Sequence, residues 1–311
     1  MISVVIPLYN KERYIERALR SVLNQTFGDF EIVVVNDGST DASVSVVEGI
    51  EDSRIRIINQ KNGGVSVARN RGIEESKYDI VAFLDADDVW KENHLSVIAE
   101  LIDKYPACGV FATSYYFQKE SMAPSTPILP NRFTFTGDNG VLTNYYEMAS
   151  GTDFPIHMSS YAVRRSEIKK IGGFPVGIPS GEDIITLARL FAVCDFAYSK
   201  QPTSVYYILY ETKNARPIQM MKPLDKIFDR LLIDAAHRKD VRRFVASWYK
   251  RRMVGAIYAH RYGLMLRAFY QSLRIFPFQK KLYTSMLVTF FSVWTGKDLY
   301  SINQQLKNRK K

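Results

Sequence analysis

Continuous apolar runs alternate with segments of helical periodicity along the first ninety residues. Such runs, short and containing valine and isoleucine, cover residues 2–8, 31–35 and 80–84, and the stretch Arg54-Ile55-Arg56-Ile57-Ile58 predicts a further strand. Unbroken runs of this kind are typical of strands buried on both faces, whereas strands with one solvated face alternate. Between them, amphipathic patterns predict helices up to about residue 25, over residues 41–50, and after residue 64. The alternation predicts an α/β fold with a mostly parallel, doubly wound sheet flanked by helices.

Polar clusters follow all four predicted strands. They are Pro7–Asn10, Asn36–Asp41, Asn62–Gly64 and Asp85–Asp88. Ligands bind outside the carboxyl ends of the strands in such sheets, so four clusters on one rim predict a binding site. Asn10 also stands where an N-cap of the first helix is expected.

The fourth cluster places three carboxylates within four positions. Asp85 and Asp87 are two apart, so they project to the same side at the strand end. Carboxylate oxygens and substrate phosphates are the ligands that Mg²⁺ and Mn²⁺ prefer. The cluster therefore predicts a metal site for a phosphorylated ligand. The alternative is a solvated acidic loop in which Asp88 caps the helix that follows.

The other clusters each have a functional and a structural interpretation. Asp37 can accept a hydrogen bond from a nucleobase, or it can form a tight turn with Gly38. Arg69 can pair with a phosphate or with a surface carboxylate. Pro7 and Tyr9 can contact a ligand or end a strand. Only their joint occurrence at strand ends favours a site.

Two further positions are open to both interpretations. Ser180 and Asp183 have the spacing of a capping box before an amphipathic helix. His157 precedes a short predicted strand at residues 159–163; it can contact a ligand or serve as a structural histidine.

Charge is distributed unevenly along the 311 residues. Residues 213–311 carry a net charge of +17 and residues 1–212 a net charge of −7. A basic segment of this strength predicts a polyanionic partner, such as an anionic membrane surface, nucleic acid or phosphorylated substrate, or else a solvated helical surface. Two cysteines do not form a secreted disulfide framework and predict reduced thiols in a cytosolic protein. The first residues predict a strand and not a signal peptide.

The basic segment has helical periodicity. Its uncharged stretch, residues 282–295, is too short to span a bilayer comfortably. It can lie in the membrane interface with Lys280, Lys281 and Lys297 on phosphates, or pack as an ordinary helix.

Four motifs in order resemble the family 2 glycosyltransferases, which have the GT-A fold. The motifs are Val5-Ile6-Pro7-Leu8-Tyr9-Asn10, Asn36-Asp37-Gly38-Ser39-Thr40-Asp41, Asn62-Gly63-Gly64-Val65-Ser66-Val67-Ala68-Arg69-Asn70 and Phe83-Leu84-Asp85-Ala86-Asp87-Asp88. The resemblance implies a nucleotide-sugar donor, usually a UDP-sugar, and a Mn²⁺ or Mg²⁺ cofactor. It implies that Pro7, Tyr9 and Asp37 line the uracil. Asn62 and Arg69 would then lie near the nucleotide, Asp85 at the ribose, and Asp87 on the metal.

The resemblance also implies a catalytic base in the acidic pair Glu182-Asp183. Asp183 is expected to deprotonate the acceptor hydroxyl, and Glu182 to contact the acceptor or act as the alternative base. A single base opposite the leaving group implies inversion. The expected organisation is a catalytic domain, 1–212, and a basic helical region, 213–311. The catalytic domain would comprise a nucleotide half, 1–118, and an acceptor half, 119–212.

The resulting hypothesis is a hexosyltransferase of cell-surface polysaccharide biosynthesis. Its acceptor would be a glycan or polyprenyl-linked glycan, and its location the cytoplasm, peripheral on the inner face of the cell membrane. One alternative is a nucleotide-sugar binding protein without catalysis. The other, disfavoured, is a nucleic-acid binder that uses aromatic and basic residues of 213–311.

Overall fold

The chain divides into two compact units, Met1–Pro217 and Ile218–Lys311. The computed structural model describes residues 1–119, 123–129, 133–151, 153–178, 180–208, 228, 231–233, 238–279 and 282–295. The predicted boundary between residues 212 and 213 lies outside these residues, as do Lys280, Lys281 and Lys297. The division of the first unit into a nucleotide half and an acceptor half stays a prediction.

A mixed sheet of nine strands forms the centre of the first unit. The strands are β1 (Ile2–Leu8), β2 (Phe30–Asn36), β3 (Ile55–Asn59), β4 (Ile80–Phe83), β5 (Val89–Trp90), β6 (Val110–Lys119), β7 (Asn139–Val141), β8 (Tyr161–Arg164) and β9 (Phe196–Ile208). Their order is β3-β2-β1-β4-β8-β6-β9-β5, and β7 pairs with β9. The helices of this unit are α1 (Ile15–Leu23), α2 (Ser43–Glu48), α3 (Val65–Glu75), α4 (His94–Lys104), α5 (Tyr145–Ala149), α6 (Arg165–Lys170) and α7 (Glu182–Phe191).

The first four strands are parallel, which confirms the predicted fold class. β1 pairs in parallel with both β2 and β4, and β2 with β3. Their carboxyl ends therefore meet at one edge of the sheet. Beyond β4, β8 runs antiparallel to β4 and to β6, so the second half of the sheet is mixed.

Burial on both faces explains the continuous apolar runs. Every residue of β1 and β2 is buried. On one face, Val4, Ile6 and Ile32 pack into a core that α1 and α4 complete. On the other face, α3 approaches β1 so closely that a Cβ at Gly72 would lie 2.3 Å from Cγ1 of Val5. Each large side chain buried in this way stabilises the fold by about 1.5–3 kcal/mol.

The predicted N-cap at Asn10 is wrong. α1 begins at Ile15, and Tyr14 is its N-cap. Asn10 instead has a φ of 50°, in the left-handed region that asparagine tolerates better than most residues.

The second unit is helical over the residues described. It contains α8 (Lys239–Tyr258), α9 (Tyr262–Ile275) and α10 (Leu282–Thr295). Met253 and Ala256 of α8 pack with Met265 and Ala268 of α9 in a small apolar core. None of the helices in the described part of the chain combines the length and apolar character needed to cross a bilayer.

Candidate functional site

A cavity of about 420 Å³ lies at the carboxyl edge of the parallel strands. All nine residues that the sequence singled out for a site line this cavity. They are Pro7, Tyr9, Asp37, Asn62, Arg69, Asp85, Asp87, Glu182 and Asp183. The structure thus brings together side chains from all four strand-end clusters and from the amino end of α7. Their individual roles stay predictions.

Asp37 fastens the glycine loop, Asn62–Gly64, to the end of β2. Its Oδ1 accepts hydrogen bonds from the backbone N–H of Gly63 at 2.9 Å and from Nε2 of Gln60 at 2.7 Å. Its Oδ2 accepts from the backbone N–H of Gly64 at 2.8 Å. Gly64 has a φ of 89°, which a side chain would strain, so the glycine is required for this loop. The buried carboxylate satisfies backbone donors that would otherwise lack partners.

The loops after β1 and β2 are fastened to each other in the same way. Oδ1 of Asn10 accepts from the backbone N–H of Thr40 at 2.8 Å. Asp41 accepts from the backbone N–H of Glu12 at 3.1 Å, and Glu12 accepts from that of Ala42 at 2.9 Å. These reciprocal bonds explain the polar residues of both motifs without a ligand.

Arg69 joins the acidic cluster to α7. It is only 2% exposed. One terminal nitrogen donates to Oδ1 of Asp85 at 2.7 Å and the other to Oε1 of Glu182 at 2.9 Å. Burial alone would lower the pKa of Arg69, but the two carboxylates outweigh burial and raise it above its ordinary value. Arg69 is therefore a buried cation shared by two acids, and the surface ion-pair interpretation is wrong.

Asp87 is held by two basic residues of the first loop and helix. Nζ of Lys11 lies 2.6 Å from its Oδ2, and a terminal nitrogen of Arg17 donates to its backbone carbonyl at 2.8 Å. The Asp87 side chain is 20% exposed, so its carboxylate is accessible from the cavity.

Asp88 is buried and does not cap α4, whose N-cap is Asn93. Its Oδ2 accepts from Oγ of Ser159 at 2.5 Å, and its Oδ1 accepts from the backbone N–H of Tyr207 at 3.0 Å. Burial, followed by the charges of Asp87 and Asp85, raises the pKa of Asp88 well above its ordinary value. The alternative of a solvated loop in which Asp88 caps α4 is therefore wrong: Asp88 links the acidic cluster to β9.

The acidic pair lies in the first turn of α7. Gly181 is the N-cap, with a φ of 89°, so Ser180 does not occupy the capping-box position. Glu182 is 9% exposed; burial, then the charge of Asp183, raises its pKa, while Arg69 opposes the shift. Oδ1 of Asp183 accepts from the backbone N–H of Ile184 at 2.8 Å. The positive end of the α7 dipole favours both carboxylates.

His157 also lines the cavity. Its ring stacks on Tyr206 with centroids 4.1 Å apart, and Nδ1 lies 3.6 Å from Oδ2 of Asp88. Nδ1 accepts from the backbone N–H of Ser159 at 3.4 Å. These contacts support the structural interpretation of His157, and its contact with a ligand stays a prediction.

Sequence reasoning missed Lys11, Arg17, Tyr206 and Tyr207. The guanidinium of Arg17 lies 3.7 Å from the ring centroid of Tyr207. Lys11 follows the first motif directly, so its place beside the predicted site could have been inferred from the sequence. The two tyrosines lie at the end of β9, whose β-branched and aromatic residues were also readable as a strand. Their place beside the acidic cluster depends on pairing between Val89 and Val205, which no local pattern encodes.

Asp87 is the carboxylate that suits a divalent cation. Asp85 is paired with Arg69, and Asp88 is directed at Ser159 and Tyr207. In the part of the chain that the structure describes, no three acidic, histidine or cysteine side chains form a ready-made metal cluster. One accessible carboxylate fits Mg²⁺ or Mn²⁺ where substrate phosphates and water supply the other ligands. The ammonium group of Lys11 lies against Oδ2 of this carboxylate.

Comparison with solved structures shows that other proteins share this fold. Residues 1–349 of Staphylococcus aureus TarS, solved with UDP-GlcNAc, superpose with a TM-score of 0.69 at 18% identity, covering 88% of this chain and 81% of that one. The mannosyltransferase PcManGT of Pyrobaculum calidifontis, solved with GDP-Man and Mn²⁺, gives a TM-score of 0.59 at 18% identity, covering 99% and 86%.

Comparison by sequence covers the amino-terminal part of the chain. The uncharacterized glycosyltransferase alr2836 of Nostoc sp. is 46% identical over 112 residues, 35% of each chain. Glycosyltransferase GlyG of Streptococcus pneumoniae is 36% identical over 124 residues, 39% of this chain and 41% of that protein. The chain thus spans well under half the length of these relatives. The family model for glycosyl transferase family 2 matches residues 3–164, more than half of the chain. With the GT-A arrangement of its sheet and the four motifs at one cavity, the chain belongs to glycosyl transferase family 2.

Proposed function

We propose that this protein transfers a sugar from a nucleotide-sugar, in the first place a UDP-sugar, to a hydroxyl group of an acceptor glycan, with inversion at the anomeric carbon. The observation that carries the proposal is the single cavity in which the strand-end motifs meet the acidic start of α7. Structures of similar fold with UDP-GlcNAc and with GDP-Man support a nucleotide-sugar donor.

The donor end of the cavity is assigned to the β1, β2 and β3 loops. Tyr9 is 48% exposed, so its ring is available to contact the uracil beside Pro7 and Asp37. Asn62 lines the same part of the cavity and is assigned to the nucleotide, and Asp85 is assigned to the ribose. Arg69 keeps Asp85 and Glu182 in place through its two ion pairs, which makes it a positioning residue within the nucleotide site.

Asp183 is the proposed general base. Glu182 and Asp183 both line the cavity, but Glu182 is buried and paired with Arg69, whereas one oxygen of Asp183 accepts from the backbone of its own helix. The acceptor oxygen attacks the anomeric carbon and gives its proton to Asp183. The bond from that carbon to the nucleotide diphosphate breaks, and the diphosphate leaves with the electron pair. Glu182 then contacts the acceptor or keeps the neighbouring Asp183 in position.

Asp87 would hold the divalent cation. When bound, Mn²⁺ or Mg²⁺ supplies positive charge to the departing diphosphate. The carboxylate of Asp87 is partly exposed, and Arg17 of α1 fixes the backbone that presents it. Lys11 pairs with one oxygen of this carboxylate as a counter-ion.

The test is release of nucleotide from a panel of UDP-sugars and GDP-sugars in the presence of Mn²⁺. We expect the wild type to turn over at least one donor. The Asp183→Asn variant should lose about 10²–10⁴-fold in turnover, the usual contribution of a general base, while it still binds the nucleotide in calorimetry. The matched control is Asp103→Asn, an exposed acid on α4, which should keep wild-type turnover.

Nucleotide binding without turnover by the wild type would support the catalytically inactive binding protein instead. Equal turnover by wild type and Asp183→Asn would remove Asp183 as the base and leave the transfer reaction standing. Failure to bind any nucleotide would overturn the proposal as a whole.

The pathway and location form the finer part of the proposal. We infer an acceptor presented at a membrane, a glycan or polyprenyl-linked glycan of cell-surface polysaccharide biosynthesis, with the enzyme peripheral on the cytoplasmic face. The net charge of +17 over residues 213–311 supports this inference, since anionic lipid attracts basic segments. Exposed Tyr270, Phe278 and Phe290 supply aromatic side chains suited to the interface.

A further inference from the structure

Lys11 and Asp87 form a close ion pair inside the cavity. Nζ of Lys11 lies 2.6 Å from Oδ2 of Asp87, and their side chains are 22% and 20% exposed. The backbone fixes Lys11 in this place. Its N–H donates to Oγ of Ser43 at 2.7 Å, and the residue before it, Asn10, is held in a left-handed conformation by Thr40. Asp87 is held independently by Arg17 at its carbonyl.

The charges along the cavity wall give this pair a distinct position. Among the described lining residues, the lysine and arginine charges come from Lys11 and Arg69 alone. The acids are Asp37, Asp85, Asp87, Glu182 and Asp183. Arg69 is committed to Asp85 and Glu182, and the carboxylate of Asp37 holds the glycine loop. Lys11 is therefore the cation that pairs with Asp87, the carboxylate proposed to hold the metal.

A divalent cation and an ammonium group cannot share this oxygen at contact distance without strong repulsion. Metal that reaches Asp87 in the free protein must therefore displace Lys11, which weakens metal binding. A nucleotide diphosphate in the cavity offers Lys11 another anion, so displacing Lys11 from Asp87 then costs little free energy. The diphosphate in turn gains both the metal and the released ammonium group.

We propose that Lys11 is the resident counter-ion of Asp87 and transfers to the donor diphosphate when the metal binds, so that Lys11 couples metal binding to nucleotide binding. The inference rests on the proposed function, because it takes a nucleoside diphosphate as the ligand. It assigns a ligand-binding role to a residue outside the acidic motif.

Coupling of this kind has a reciprocal signature. The factor by which nucleotide tightens Mn²⁺ binding equals the factor by which Mn²⁺ tightens nucleotide binding. Replacing Lys11 by methionine removes the charge and keeps the length of the side chain. We expect Lys11→Met to bind Mn²⁺ alone about three- to tenfold more tightly, because no ammonium group competes. The same variant should bind UDP or GDP without metal more weakly by a similar factor. Effects of about this size are expected for a partly exposed ion pair. The coupling factor should fall accordingly.

The experiment uses the full chain and needs no turnover. Free Mn²⁺ is measured by electron paramagnetic resonance during titration, and UDP and GDP are titrated in parallel by calorimetry, once with EDTA and once with saturating Mn²⁺. Lys61→Met is the matched control, since Lys61 is exposed on the neighbouring loop and does not line the cavity. Lys11→Arg keeps the positive charge and should therefore keep the wild-type affinities for Mn²⁺ and for nucleotide. Lys11→Gln is a second neutral variant, to be used if Lys11→Met is too unstable to measure.

The outcomes separate this inference from the proposed function. Opposite shifts in Mn²⁺ and nucleotide affinity for Lys11→Met, absent from Lys61→Met, support the inference. Unchanged affinities and an unchanged coupling factor overturn it while nucleotide binding by the wild type upholds the function. Shifts in the same direction for both ligands would show a general loss of the site and also overturn it. A wild type that binds neither nucleotide overturns both.

Discussion

Arg69 joins two carboxylates that lie 97 positions apart in the sequence, Asp85 and Glu182. Its own side chain is 3% exposed, and its Nε is buried without a hydrogen-bond partner. Three charges held together with little water are stable only as a set. Removing the cation would leave two acids facing each other in a confined space.

We expect Arg69→Met to lower the free energy of unfolding by about 2–4 kcal/mol at pH 7.5, because breaking a buried pair from one side leaves its partners unpaired. The loss should shrink as pH falls. Burial raises the pKa of Glu182 in the folded protein, so without Arg69 this group takes up a proton more readily on acidification, and the cost of its charge disappears. Urea denaturation at pH 7.5 and pH 5 measures both effects.

Arg71→Met is the control for this change. Arg71 lies on the same helix and pairs with Glu75 one turn away, but its side chain is 48% exposed. Exposed pairs of this type contribute below about 1 kcal/mol. Equal losses for Arg69→Met and Arg71→Met would contradict the buried role of Arg69.

Asp88 shows why single residues in a motif are hard to interpret from sequence. Its partners, Ser159 and Tyr207, lie 71 and 119 positions away. The local pattern indicated a cap for α4, and nothing in the motif itself distinguishes an acid that faces a ligand from one that faces a strand. The alternation of Asp85 and Asp87 on the strand end was informative because that geometry is local.

At the level of elements, the contact between α3 and β1 determines how closely the glycine loop approaches the sheet. Gly72 lies at this contact, and a Cβ there would meet Val5 at 2.3 Å. The residue is therefore selected by packing and not by helix propensity, which would favour alanine by about 1 kcal/mol.

We expect Gly72→Ala to destabilise the protein by about 1–3 kcal/mol in spite of the better helix former, because α3 must move away from β1. The same shift displaces the loop that Asp37 holds, so nucleotide affinity should fall as well. Thermal and urea unfolding together with calorimetry check both results.

Gly49→Ala provides the comparison at the end of α2. Gly49 has an ordinary φ of −72°, and a Cβ there would lie 3.4 Å from its nearest neighbour, the carbonyl oxygen of Ser45. It should be neutral or slightly stabilising. A stabilising effect of alanine at both sites would show that α3 has room to spare.

The first four strands could be predicted to within about two residues because each is a short stretch with valine or isoleucine that ends at a polar cluster. The later strands were harder. β8 was predicted to begin at residue 159, but Met158–Ser160 form a 3₁₀ turn and the strand begins at Tyr161. β9 pairs in parallel with β6, across two irregularities in register near Ser114, and long-range pairing of this kind has no local signal. The site could be located from the strand ends; Tyr206 and Tyr207 could not.

For the whole molecule, the division of charge is the dominant feature. The net charge of −7 over residues 1–212 contrasts with +17 over residues 213–311. In the second unit, Arg267 and Arg274 are exposed on α9 two turns apart. An anionic surface would attract this unit and repel the first.

We expect the full chain to bind vesicles that contain anionic phospholipid and to bind neutral vesicles far more weakly. Binding should weaken between 50 and 300 mM salt, since the attraction falls off within a Debye length of about 8–10 Å near physiological ionic strength. The double variant Arg267→Gln and Arg274→Gln should bind about tenfold or more weakly, at about 1 kcal/mol per charge. Co-sedimentation measures each case.

Arg71→Gln with Lys77→Gln removes the same number of charges from exposed positions of the first unit. This variant should keep wild-type vesicle binding. Equal weakening by both double variants would indicate a general charge effect, and binding of RNA in preference to anionic vesicles would favour the nucleic-acid alternative.

The hydrogen bonds that fasten the motif loops to one another bear on the entropy of binding. Asn10, Asp37, Asp41 and Glu12 hold backbone N–H groups of neighbouring loops. These bonds are made within the protein and do not require a donor, so we expect binding to cost little loop entropy. Ordering a flexible loop would cost about 1–2 kcal/mol per residue. Much of the motif's polarity thus serves preorganisation, so the amide protons of Thr40, Ala42, Gly63 and Gly64 are expected to exchange slowly even in the empty site.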